Sequence, residues 1–114
     1  MKLLTSIYTI EELNNLIDSL DYALINVPNL SINYEEIDID LAIDILNKNN
    51  KGIVLSINKI MHPSNIKPLD DFIKKYKDLN VLFYTADFGS LDLFMKYNII
   101  SKVIIILRQW LLII

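Results

Sequence analysis

Short apolar runs and longer stretches with a helical apolar period alternate along the chain. Five runs rich in β-branched and aromatic residues predict strands at residues 3–7, 22–27, 53–57, 81–86 and 103–106. Between the first two runs, Ile10, Leu13 and Leu20 recur on one face of a helix. The next intervals show the same kind of period, so a helix is predicted after each of the first four strands.

Local signals predict where the helices begin and end. Residues 9–12 form a capping box that starts the first helix, whose apolar face runs to near Asp21. The second helix closes at residues 49–52, which tolerate a left-handed backbone. Its start is open, because residues 37–40 also alternate as a strand does. The third and fourth helices are expected at residues 66–79 and after the turn at 87–90.

The order of elements predicts the fold class. Strands spaced by roughly 25 residues, each followed by a helix, are typical of βαβ units, whose crossovers produce a parallel sheet. Runs such as residues 53–57 do not alternate, which suits strands that are buried on both faces. The 114 residues show no internal linker and fall well short of the ~250 residues of a closed (β/α)₈ barrel. We expect one α/β domain built of parallel βα repeats.

Composition removes several classes of chemistry. The chain has no cysteine and one histidine, which excludes an iron–sulfur cluster, a thiolate zinc site, a disulfide framework and a cysteine nucleophile. Its two glycines are too few for a P-loop or a dinucleotide-binding fingerprint. No metal site and no cofactor are expected.

Charge and hydropathy bear on partners and location. The net charge is −3 and the lysines are scattered among acidic residues, so no nucleic-acid partner is expected. No apolar run approaches the ~20 residues of a membrane span, and polar residues after Leu4 interrupt any signal peptide. A cytoplasmic protein with no membrane partner is the expectation.

Functional groups of parallel sheets lie beyond the carboxyl ends of the strands, which selects a few polar residues. Asn26, Asn58 and Lys59 are the predicted substrate-binding residues. Asn58 either donates from its amide to a bound oxyanion or bonds the backbone of its own turn. The candidate catalytic residues are His62, a general base or a loop residue, and Asp87, which holds a substrate hydroxyl or caps the next helix.

Other polar groups are less specific. Thr5 and Ser6 end the first strand and lie at the same edge of the predicted sheet. An acidic cluster on the second helix lacks the spacing of a calcium loop and is interpreted as a solvated helix face: Asp38, Asp40 and Asp44. A catalytic triad of His62, Asp87 and a serine such as Ser56 is rejected, because no nucleophile-elbow motif surrounds any serine.

Several motifs resemble the amino-terminal part of the collagenase-like peptidases, peptidase family U-32. The most specific is SINKIMH at residues 56–62, which is similar to a family strand that ends in VNxxxH. The order of the other motifs agrees with the family: KLLTSI at 2–7, YALINV at 22–27, Asn29-Leu30-Ser31, and LFYTADFGSLDLF at 82–94. The resemblance covers about nine tenths of the chain.

The resemblance implies the first half of a TIM-barrel-like (β/α) fold, truncated after strand five. Family members are described as peptidases, and relatives assist RNA or quinone hydroxylation with cysteine-bound iron–sulfur clusters. This chain has no cysteine, so only Asn58, His62 and Asp87 carry over, as motif positions. The resemblance thus implies a truncated peptidase homologue without catalytic activity of its own.

Two other interpretations stay open. The chain is alternatively a half-barrel interaction module that pairs with a second copy or a complementary half, because the first and fifth strands have uncovered edges. It is otherwise a degraded product with no function.

We expect residues 1–106 to form the partial barrel and residues 107–114 to be an atypical apolar tail. In a shifted reading frame, plausible codons for residues 106–112 encode a segment similar to the family's continuation, so a frameshift is the expected origin of the tail.

Overall fold

The computed structural model of the protein describes residues 2–27, 37–57, 66–85, 91–99, 102–107 and 110–113. Strands and helices follow one another in the order β1 (Leu4–Ile7), α1 (Ile10–Leu16), β2 (Tyr22–Asn26), α2 (Ile39–Lys48), β3 (Gly52–Ser56), α3 (Ile66–Tyr76), β4 (Leu82–Thr85), α4 (Leu91–Lys96), β5 (Val103–Leu107) and β6 (Trp110–Ile113). One helix follows each of the strands β1 to β4. The predicted α/β class with βα repeats is confirmed.

The strands form one sheet whose spatial order equals the chain order, β1-β2-β3-β4-β5-β6. Strands β1 to β5 pair in parallel, whereas β6 runs antiparallel to β5. Right-handed crossovers between successive neighbouring strands place every connecting helix on the same side of the sheet. This winding is shared with (β/α) barrels and differs from doubly wound sheets, in which the strand order reverses at a switch point.

The two faces of the sheet are unequal, because side chains alternate along each strand. The helix-covered face of β1 to β4 consists of Thr5, Ile7, Ala23, Ile25, Ile53, Leu55, Phe83 and Thr85, of which all except Thr5 are buried. The opposite face, here called the open face because no described helix packs on it, consists of Leu4, Ser6, Tyr22, Leu24, Asn26, Gly52, Val54, Ser56, Leu82 and Tyr84, of which Asn26, Val54 and Ser56 are buried. None of these open-face residues belongs to the main apolar core cluster, not even the buried Val54. The core therefore lies between the sheet and its helices.

Phe83 lies at the centre of this core and is 0% exposed. Its ring centroid is 6.3 Å from that of Phe72 on α3 and 5.5 Å from that of Phe94 on α4. Leu13 of α1 and Leu46 of α2 are also fully buried in the same cluster. Each helix thus contributes its apolar face to one continuous core on the helix-covered side.

The helix ends follow local capping chemistry. The Thr9 hydroxyl accepts the Glu12 backbone N–H at 3.0 Å, which confirms the predicted start of α1. Asp38 accepts the Leu41 N–H at 3.1 Å, so α2 begins after it, and the alternative strand at this point is wrong. Asn50 has a φ of 56°, as expected for a residue that closes α2 in a left-handed conformation.

Four features differ from the expectation. Helix α3, expected at residues 66–79, ends at Tyr76 and is followed by a turn. Helix α1 ends at Leu16, although Leu20 was expected to continue its apolar face. Leu20 is nevertheless buried in the core, which it reaches from a turn after the helix. In this turn the Ser19 backbone N–H donates to the Leu16 carbonyl at 2.9 Å. Asp38 caps α2 and so does not belong to a solvated helix face. The sheet also continues past strand five, because Trp110–Ile113, in the segment expected to be an apolar tail, pairs with β5.

Candidate functional site

Three polar side chains lie side by side where β2, β3 and β4 end on the open face. The strand register pairs Asn26 with Ser56 and Ser56 with Tyr84. Paired residues of parallel strands point to the same face, so the three side chains form a line across the strands, here called the carboxyl-end row. Since neighbouring strands lie ~4.8 Å apart, the row is about 10 Å long.

Polarity increases along the open face towards this row. The first level of paired residues is Leu4, Tyr22 and Gly52, and the second is Ser6, Leu24, Val54 and Leu82. The carboxyl-end row forms the third level, in which Asn26 is 7% exposed, Ser56 is 0% exposed and Tyr84 is half-buried. This row is the candidate functional site because it gathers polar side chains at the carboxyl ends of parallel strands, where such sheets place their functional groups.

The row offers hydrogen bonds but no charge. An asparagine amide both donates and accepts, and the serine hydroxyl and the tyrosine phenol do the same. Such groups suit an uncharged polar ligand, for example a peptide group, because the row contains hydrogen-bonding groups but no acidic or basic residue. The row itself contains no nucleophile paired with a general base.

The predicted polar residues are only partly brought together. Asn26 takes its place in the row, as predicted for a substrate-binding residue. Ser6 is on the open face but one level below the row, and Thr5 is on the helix-covered face. The remaining predicted site residues lie outside the described part of the chain: Asn58, Lys59, His62 and Asp87.

Ser56 and Tyr84 were not among the predicted site residues, although Asn26, at the end of the neighbouring strand, was. Thr85 is buried on the helix-covered face, one residue past Tyr84. A signal was present, because Ser56 and Tyr84 interrupt the otherwise apolar runs IVLSI and VLFYTA near their ends.

Two groups of hydrogen bonds and ion pairs join the helices. Asp40 of α2 accepts hydrogen bonds from the Tyr76 hydroxyl at 2.8 Å and from the Lys75 ammonium at 3.1 Å. The Tyr76 hydrogen bond, followed by that of Lys75, lowers the pKa of Asp40. The predicted solvated acidic face is therefore used in part to attach α2 to α3.

A second carboxylate repeats this arrangement between α3 and α4. Asp70 accepts from the Tyr97 hydroxyl at 2.6 Å, and Lys74 lies 3.3 Å away. The Tyr97 hydrogen bond is the main cause that lowers the pKa of Asp70, with Lys74 and Lys96 adding to it. Both carboxylates are structural links within the helix layer.

Two concavities of the described surface lie away from the row. One, of about 390 Å³, opens at the amino ends of β2, β3 and β4 and is lined by Tyr22, Gly52 and Leu82 among others. Another lies on α2 beside Asp40 and Asp44. In parallel sheets, the amino ends of strands are the less common place for chemistry, so we place the candidate site at the carboxyl-end row.

Metal ligands do not gather in the part of the chain that the structure describes: no group of three histidine, cysteine, aspartate or glutamate side chains is positioned to hold an ion there. None of the helices in the described ranges has the length and apolar character needed to cross a bilayer.

Neither a protein-family model, nor a curated protein, nor a solved structure matches the chain.

Proposed function

We propose that the protein is a homologue of the amino-terminal half of the U-32 peptidases that binds peptides without cleaving them. The observation that carries the proposal is the carboxyl-end row, which places uncharged hydrogen-bonding groups on the open face of a sheet with barrel-like winding. The motif SINKIMH at residues 56–62, whose first residue is a member of the row, supports the family assignment.

The size of the row supports a peptide as the ligand. An extended peptide advances ~3.3 Å per residue, so a row about 10 Å long spans about three residues. The Asn26 amide and the hydroxyl group of the half-buried Tyr84 complement peptide N–H and C=O groups without requiring a charged side chain, and the fully buried Ser56 lies between them. The level below the row, which includes the half-buried Leu24 and Leu82, provides contact for apolar ligand side chains.

Composition supports the absence of cleavage. Peptide hydrolysis needs an activated nucleophile or a metal-bound water, with a base in hydrogen-bond reach. The chain has no cysteine and a single histidine, His62, so a histidine pair or a cysteine–histidine pair is impossible. We expect no cleavage of gelatin or casein, with or without added divalent metal. Reproducible cleavage that disappears in His62→Ala would overturn this half of the proposal.

Peptide binding is tested with two matched tyrosines on the open face. Tyr84 belongs to the carboxyl-end row, whereas Tyr22 is half-buried at the opposite end of the strands. We expect Tyr84→Phe to weaken binding of a gelatin-derived peptide about fivefold or more in a calorimetric titration, since one hydrogen bond is lost. Tyr22→Phe should leave binding unchanged. Equal effects of the two substitutions, or no binding by the unaltered protein, would contradict the proposal.

A half-barrel interaction module is the second candidate function. The open face and the outer edge of β1 carry no helix or strand in the described residues, and a protein that presents such a surface tends to associate. Sedimentation equilibrium over a wide concentration range tests this function. A dimer supports it, and a monomer up to millimolar concentration contradicts it.

A further inference from the structure

Strand β1 is an outer strand of the sheet, and among the described residues its backbone is bonded on one side, towards β2. The Leu3 carbonyl accepts from the N–H groups of Asp21 and Tyr22 at 2.9 and 3.0 Å. The Leu3 N–H in turn donates to the Asp21 carboxylate at 2.7 Å. These bonds fix the extended conformation of β1 before any partner arrives, which lowers the ordering cost of adding a further strand.

The direction of the backbone groups follows from this pairing. In an extended strand, successive residues direct their N–H and C=O groups to opposite sides. Because Leu3 faces β2 and Leu4 is the register partner of Tyr22, Thr5 and Ile7 also face β2. Leu4 and Ser6 therefore direct their N–H and C=O groups away from the sheet, to the outer edge.

This edge lacks the devices that usually prevent strand addition. Residues 3–7 (LLTSI) contain no charged residue and no proline, and β1 pairs with β2 through four successive residues without a bulge. Leu3 is 51% exposed and Leu4 is 52% exposed, so an apolar rim accompanies the outer backbone groups, which no described strand pairs. An exposed apolar edge of this kind is a template for a further strand.

We infer that the outer edge of β1 binds a second copy of the chain through an antiparallel β1–β1 pair centred on Thr5. In this register, Leu4 of each copy exchanges two hydrogen bonds with Ser6 of the other copy, which satisfies every outward-facing group of the two residues. The two Thr5 residues then lie opposite each other as a pair without backbone hydrogen bonds. The inference deepens the second candidate function, the interaction module, and rests on it.

The residues that flank β1 select a second copy as the occupant of the edge. The antiparallel register brings Lys2 of one copy opposite Tyr8 of the other. Strand alternation places both side chains on the open-face side, where the Lys2 ammonium already lies 5.6 Å from the ring centroid of Tyr22. Two lysine–tyrosine contacts of this kind form by symmetry, one at each end of the strand pair, and they favour the antiparallel orientation.

Cysteine crosslinking tests the register directly, because the chain has no cysteine of its own. Facing residues of such a pair have Cα atoms about 4.5 Å apart, which is within disulfide range. We expect Thr5→Cys to form a disulfide dimer under mild oxidation at least ten times faster than Ser19→Cys, a control at an exposed position after α1. Equal rates for the two variants would overturn the β1 edge as the interface.

A second pair of variants tests the hydrogen bonds without crosslinking. Ser6→Pro removes an outward N–H from each copy but keeps the bonds to β2, and we expect it to weaken the dimer at least about tenfold. Leu4→Lys should weaken it similarly, while Leu41→Lys, at a comparably exposed leucine on α2, should not. Circular dichroism confirms that each variant is folded.

The outcomes separate the two claims. A dimer that all these β1 variants leave intact would overturn the β1 edge and preserve the interaction module. A wild-type chain that remains a monomer up to millimolar concentration would overturn both. Peptide binding through Tyr84 is independent of either result.

Discussion

Replacement of Gly52 with alanine is expected to destabilise the protein because of one side chain on the neighbouring strand. Gly52 does not have a positive φ, so its backbone conformation is open to any residue. However, a Cβ atom added there would overlap the ring of Tyr22, its partner in the β2–β3 register, at Cδ1 and Cε1. Glycine is required at this position because the tyrosine ring lies over it.

The magnitude follows from two opposing effects. Replacing a glycine with alanine in an allowed backbone conformation stabilises the folded protein by about 0.5–1 kcal/mol, chiefly because it reduces the conformational freedom of the unfolded chain. Forcing a ring out of a packed position costs about 1–3 kcal/mol. We expect Gly52→Ala to lower the free energy of unfolding by about 1 kcal/mol net, which lowers the melting temperature by about 4 °C in a domain of this size.

The assay is a double-mutant cycle by urea unfolding, with Gly52→Ala, Tyr22→Ala and the double variant. Once the ring is removed, the alanine has room, so Gly52→Ala should raise stability in the Tyr22→Ala background. The expected result is thus a reversal of sign between the two backgrounds. The same effect in both backgrounds would refute the β2–β3 register, which also pairs Asn26 with Ser56 in the carboxyl-end row.

Two further substitutions test a contact between α2 and α3 and the core beneath the helices. Tyr76→Phe removes the hydrogen bond to Asp40 and should cost about 1 kcal/mol at neutral pH. Because the folded-state pKa of Asp40 is lowered, this stabilisation is present above the unfolded-state pKa and is lost as the pH falls through the folded-state pKa. The free energies of unfolding of the variant and the wild type, measured with urea, should therefore converge in acid. A difference that stays constant with pH would contradict the assignment of this hydrogen bond. Phe83→Ala should cost about 3–5 kcal/mol in the same assay, and a loss below about 1 kcal/mol would mean that Phe83 is not central to the core.

The sequence predicted elements and fold class well where periodicity and capping agree. Thr9 and Asn50 are cap residues whose conformations follow from local chemistry, so tertiary contacts are not needed to anticipate them. Strand β6, which lies in the segment expected to be an apolar tail, was not predicted. The run VIIILRQWLLII contains no glycine, proline or asparagine to signal a reversal, and the hairpin between β5 and β6 could not be read from it.

The candidate site was only partly predictable, because apolar strands do not reveal which face a helix will cover. In IVLSI, both faces are apolar, and only strand order and crossover handedness place Leu55 under the helices and Ser56 on the open face. Asn26 was predicted because it ends a strand. Tyr84 was not, since tyrosine is also an ordinary strand residue.

Thiol labelling of two adjacent residues on β2 tests most directly whether one face of the sheet is free of helices. Leu24 is half-buried on the open face, and Ile25 is 0% exposed beneath the helices. In this cysteine-free chain, Leu24→Cys should react with a maleimide in the native state, whereas Ile25→Cys should react only as fast as the protein unfolds. Equal protection of both cysteines in the monomer would mean that both faces are covered, which would contradict the half-barrel account.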